Sequence, residues 1–164
     1  MQLDDKTNNT SLVLAFEFVD TKRVLLFAAD AQIGNWLSWQ NANWQVDGGV
    51  VTGPDLLART VYYKVGHHGS KNATAREKGL ELMKSPDLSA FIPTNKHDAQ
   101  QVHWGEMPYD KLLTALGERC AGRVVRADDP WIADQVGKPG FAAPSGSIQA
   151  IDHGQGLWVE LKLA

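Results

Sequence analysis

The run Val61-Tyr-Tyr-Lys-Val-Gly-His-His-Gly-Ser70 constrains this chain more than any other stretch. Val and aromatic residues favour a pleated strand, and the run stops abruptly at two histidines flanked by glycines. Gly66 and Gly69 let the backbone turn sharply, so His67 and His68 are expected in a loop held by a rigid strand end. An upstream run behaves alike: Arg23-Val-Leu-Leu-Phe-Ala-Ala-Asp30 is a second apolar strand ending in a lone carboxylate. Two strands, each with a metal-capable residue at its carboxyl end, suit a borderline divalent ion such as zinc, provided that the two ends converge. An aspartate after a strand is also a common turn or helix-cap residue, so Asp30 alone decides nothing.

The 164 residues predict one domain, 1–164, with room for a sizeable core. With 43% apolar and 21% charged residues, general disorder is excluded. A formal net charge of −3 gives no electrostatic reason to expect nucleic-acid binding. Cys120 is the single cysteine, which precludes an internal disulfide and fits a reducing compartment. The polar, acidic start Met-Gln-Leu-Asp-Asp is unlike a secretory signal, and no apolar run reaches membrane-spanning length. The expectation is a cytoplasmic protein without membrane association.

Residues 1–10 read as a polar lead-in. Ser11–Val19 and Arg23–Ala28 read as paired strands, apolar on both alternating faces and therefore covered on both sides. A short helix is expected from Gly34, a turn at Asp47-Gly-Gly, and one or two helical turns over Pro54–Arg59. Thr74-Ala-Arg-Glu77 has capping-box spacing and predicts a helix to about Lys84. Ser89–Pro93 reads as a strand and His97–Gly105 as a polar loop. Pro108 opens the clearest helix, with Leu112, Leu113 and Leu116 at helical spacing, ending near Gly122. A strand follows at Arg123–Ala127, a loop over 128–146, and a terminal hairpin joins Ser147–Ile151 to Leu157–Leu163 through Asp152–Gly156. That order predicts a layered α/β domain.

Three ordered segments carry a family resemblance: Asn9-Thr-Ser-Leu-Val-Leu, Leu-Leu-Phe-Ala-Ala-Asp30-Ala, and Tyr-Lys-Val-Gly-His-His-Gly-Ser70. Together they resemble the C-terminal half of metallo-β-lactamase-fold hydrolases, in the branch that includes the hydrolase domain of competence-type DNA-uptake proteins. The corresponding segments there read Asn-x-x-Ser, Gly-Asp-Ala and His-His-Gly-Ser. The likeness spans about residues 8 to 128, including the Met107-Pro108 helix and the Gly-Arg-Val-Val-Arg that follows it. It implies half of an αββα sandwich, a mixed sheet with helices on one face. It also implies that Asp30 bridges two metals and that His68 binds one, with His67 behind it. Ala29 stands where the family has glycine.

The family's main motif, His-x-His-x-Asp-His, belongs to the N-terminal half and does not occur in this sequence. A catalytic zinc takes about three protein ligands and a water. His97, Asp98, His103 and His153 lack ligand spacing and read as surface-loop residues. Ser70 reads as a turn cap rather than a nucleophile, and Cys120, at a helix C-terminus, as inert. Trp36, Trp39 and Trp44 read as core, with a pocket or partner surface as the alternative. The resemblance therefore implies a chain that does not build the dinuclear site alone and leaves an apolar sheet face without its usual cover. A homodimer is the expected cover, and a separate chain carrying the missing half is the alternative. Three outcomes follow: a non-catalytic self-associating remnant, a split hydrolase, or a zinc enzyme completed by assembly from Asp30, His68 and a loop histidine.

Overall fold

The two apolar runs lie side by side as parallel strands at the centre of one sheet. A computed structural model describes residue 8 and residues 10–128, 146–154 and 158–163. The five-stranded sheet has the order β1-β2-β5-β6-β7, with β1 Leu14–Glu17, β2 Val24–Phe27, β5 Thr60–Lys64, β6 Ser89–Ile92 and β7 Val124–Arg126. β1 is antiparallel to β2, and the remaining pairs are parallel. The fold is α/β with a mixed sheet. Among the described residues no helix is long and apolar enough to cross a membrane.

One sheet face builds the core. Leu26, Tyr63, Ala90 and Ile92 pack with Trp36 of α1 (Ile33–Ser38), Leu57 of α2 (Gly53–Ala58) and Leu116 of α4 (Asp110–Arg119). Trp36 is fully buried and Nε1 donates to Ala73 O at 3.0 Å, which satisfies its polar edge. The α2 start is a capping box. Thr52 Oγ1 accepts from Asp55 N, and the Asp55 carboxylate accepts from Thr52 N and its hydroxyl. Those bonds hold the Asp55 carboxyl below its ordinary range.

The opposite face carries Leu25, Phe27, Tyr62 and Phe91. Val159, Leu161 and Leu163 of β9 (Trp158–Leu163) lie over it around a cavity of about 240 Å³. β9 pairs antiparallel with β8 (Ile148–Gly154). Ser147, just before β8, fastens this hairpin: Oγ donates to Val61 O at 2.7 Å and lies 2.7 Å from Ser89 Oγ. Burial pushes the Tyr62 hydroxyl up to about 12. The sheet face expected to lack cover is thus partly covered by the chain's own hairpin, because serine hydroxyls anchor it to a buried strand carbonyl.

Several local expectations fail for identifiable reasons. Thr74–Lys84 is not an α-helix but turns followed by a 3₁₀ turn at Leu80–Leu82. Gly79 lies under Trp36, where a Cβ would meet Ala75 O at 2.4 Å. Leu80 N therefore bonds back to Ala75 O across a wider loop than an α-turn. His97–Gly105 is not all loop: α3 spans Lys96–Gln101, its start capped by Asn95 Oδ1 on His97 N and Asp98 N. The α4 helix begins at Asp110 rather than Pro108, which is buried against Gly69. Asp152 and His153 belong to β8 rather than a turn. Asp47-Gly48 joins two strands, β3 (Asn43–Val46) and β4 (Gly49–Thr52), where only a turn was expected. Trp36 is core, but Trp44 on β3 is 48% exposed, because this hairpin stands outside the main sheet. The lead-in over 1–7 and the loop over 129–145 lie outside the described residues.

β1 departs most from expectation. It is shorter than Ser11–Val19 and is not covered on both sides: Leu12, Leu14, Phe16, Phe18 and Val19 are all exposed. It is an edge strand, with β2 on one side and no strand on the other among the described residues.

Candidate functional site

Parallel pairing sets Phe27 of β2 against Lys64 of β5, so both strands deliver their following residues to the same sheet edge. After β2 the chain turns through Ala29 (φ 46°) to Asp30. After β5 it turns through His67 (φ 44°), His68 (φ 55°) and Gly69 (φ 69°). Positive φ at non-glycine residues is uncommon, and three of them meet in these two turns. A direct bond joins the turns: His67 N donates to Ala29 O at 2.8 Å. Gly66 makes that approach possible, since a Cβ there would lie 2.2 Å from Ala29 O. The structure therefore brings the Asp30 and His67-His68 turns together, and Gly66 is the residue that allows it.

The two histidines have different surroundings. His67 is half-buried, and Asn8 Nδ2 lies 3.2 Å from its Nε2, while Nδ1 is buried with no hydrogen-bond partner among the described residues. If the amide donates, the imidazole proton sits on Nδ1 and is stranded. If the amide is turned so that its oxygen accepts from Nε2–H, Nδ1 keeps a bare lone pair. The second arrangement is the one by which metal-binding histidines are held, one nitrogen fixed by a neighbour and the other free to ligate. His68 instead packs its ring on Trp104, with centroids 4.5 Å apart. Asp30 is half-buried.

The loop candidates join no ligand group among the described residues. His97 is exposed, with Nδ1 3.6 Å from Asp98 and Nε2 3.3 Å from Gln101 Nε2. His103 is exposed, its Nδ1 3.0 Å from Gln101 O. His153 lies in a β8 strand position, and its side chain is outside the described residues. Ser70 is buried and donates to Asn72 Oδ1 at 2.8 Å, a turn contact. Cys120 caps α4, and burial, the largest cause, pushes its thiol up to about 12. Among the described residues no three His, Cys, Asp or Glu side chains form a ligand set. The fit to zinc is therefore partial: the Asp30 and His67-His68 turns adjoin and His67 offers one imidazole nitrogen, but the three side chains do not make a ligand set.

Sequence reading missed Asn8 and Trp104. The signal for Asn8 was present, because it stands three residues before Ser11, the spacing of Asn-x-x-Ser, and its carbonyl accepts from Ser11 N at 3.2 Å. Trp104 had no local signal, since it arrives through the α3 turn. No family model, curated protein or solved structure matches this chain.

Proposed function

We propose that this chain is a C-terminal half of a metallo-β-lactamase-type fold, non-catalytic alone, that self-associates through the apolar margin of its sheet. The observation that carries this reading is the exposed row on β1: Leu12 at 72%, Phe16 at 54% and Phe18 at 47% exposure, with Leu14 between them. Rows of large apolar side chains on an edge strand are seldom left in water, and a second copy covers them symmetrically. Sedimentation equilibrium combined with metal analysis, on protein purified without chelator, tests it. A metal-free dimer is expected; a monomer at micromolar concentration overturns self-association.

A second reading has its own support in His67 Nδ1, which has no partner among the described residues and stands on the turn bonded to that of Asp30. In it Asp30 and His67 would hold a zinc ion, with further ligands from a second copy or a separate chain. Such an ion would supply a Lewis acid and an activated water for phosphoester hydrolysis. Here His67, rather than His68, carries the bond that orients a ligand. Stoichiometric zinc, lost in His67→Ala together with phosphodiester cleavage, is its expected signature. Zinc-free protein without cleavage removes it.

A further inference from the structure

We propose that two copies join edge to edge along β1, antiparallel, with Ala15 facing Ala15 of the second copy, making one continuous ten-stranded sheet. This rests on the self-association reading above and specifies its geometry.

The backbone of β1 sets the phase. Phe18 N donates to Arg23 O at 2.9 Å, and β1 pairs Phe16 with Leu25 and Leu14 with Phe27. Hydrogen-bonding residues alternate along an antiparallel ladder. Leu14, Phe16 and Phe18 therefore turn their amide groups inward to β2, and Val13, Ala15 and Glu17 turn theirs outward. Among the described residues those outward groups have no partner. An unpaired edge of this kind is a template for another strand.

Side chains select one register. With Ala15 on the two-fold axis, Val13 exchanges bonds with Glu17 of the second copy. Leu14 then faces Phe16, and Leu12 faces Phe18, an unbroken apolar ladder on one face. Sliding the strands by two residues one way sets Leu12 against Asp20, and by four sets Glu17 against Glu17, a repulsive pair. Sliding by two the other way sets Phe18 against Thr10, and by four sets Phe16 against Thr10 and Phe18 against Asn8. The favoured register keeps like charges apart, and Glu17 arrives already paired with Lys22 and Arg59.

Space and area agree. A groove of about 690 Å³ lies beside β1, lined by Val13, Ala15, Trp44, Val46, Val51 and Leu56 among others. It receives the second copy's Val13 and Ala15, and Ala15 on the axis adds only a methyl group. Besides the five β1-side residues, Trp44 and Val46 are about half exposed around this margin. Taking about 200 Å² for a large side chain, these seven offer at most roughly 800 Å² per copy, beside the ~800 Å² per partner of a stable interface.

Ala15→Pro and Ala15→Cys test the geometry. Proline removes only the outward N–H, which the β1–β2 ladder does not use, and edge strands tolerate it. The expected result is at least tenfold weaker dimerisation by sedimentation, with unchanged far-ultraviolet circular dichroism. Ala15→Cys, treated with a short bismaleimide, is expected to give a thioether-linked dimer. Facing residues in a hydrogen-bonded pair stand about 5.5 Å apart, too wide at Cβ for a direct disulfide but within reach of such a linker. Cys120, the one native cysteine, is buried and offers no competing link. If Ala15→Pro unfolds the chain, the cysteine variant decides alone. A wild-type dimer without cross-linking at position 15 overturns edge pairing while leaving self-association standing. A monomeric wild type overturns both.

Discussion

Glu17 shows how one half-buried residue couples to the rest of the molecule. Its carboxylate accepts from Arg59 at 2.5 Å and from Lys22 at 3.2 Å, and these bonds, Arg59 first, hold its carboxyl below the ordinary glutamate range. A carboxyl depressed on folding stabilises the fold above its unfolded value, and that stabilisation is lost as pH falls through the lower folded value. Thermal scans from pH 5 to pH 3 should therefore show a drop in Tm that Arg59→Ala makes shallower. Equal slopes for the two proteins would remove the coupling. The pair is solvent-screened, so the effect is small. At this scale the sequence was partly legible. Cys120 was read as inert through a helix dipole, and the larger cause is desolvation, which no local pattern reveals. The inequality of His67 and His68 was not legible either, because it depends on Asn8 and Trp104, both remote in sequence.

Among the elements, the strand ends that present Asp30 and the histidines were readable from residue type alone, since apolar runs stopping at Gly and Asp describe them well. Their approach was not, because it depends on the parallel register of β2 and β5. Gly66→Ala tests that approach. The added methyl collides with Ala29 O, and overpacking of this kind costs about 1–3 kcal/mol. Urea unfolding should show a lower midpoint with an unchanged m-value, and an unchanged midpoint would mean that the turns move apart freely. The missed α3 helix and the absent helix after Thr74 have opposite causes. α3 buries only Ala99, so it has little apolar periodicity to detect. The Thr74 segment has the cap spacing, but Gly79 is pressed beneath Trp36, and tertiary contact overrides local preference.

For the molecule as a whole, the α/β order was legible because apolar strands and helices alternate through the centre of the chain. The return of the terminal hairpin onto the sheet was not, since it hangs on the buried Ser89, Ser147 and Val61 contact rather than on periodicity. The cavity beneath β9 and the half-burial of Leu161 limit what that cover contributes. Leu161→Ala should cost about 2 kcal/mol or less, the bottom of the range for such truncations, measured by urea unfolding. A loss well above that would mean tighter packing than the cavity implies. The position of β1 in the chain has a further consequence. During synthesis the β1–β2 hairpin leaves the ribosome ahead of β5, the strand that flanks β2 on its other side, which follows only after α1, β3, β4 and α2. At ~5–20 residues per second, that delay is on the order of seconds. Throughout it the exposed apolar edge of β1 faces solvent and neighbouring nascent chains of the same message. On the edge pairing proposed above, association on the polysome, before either copy is complete, would give that edge its earliest shelter.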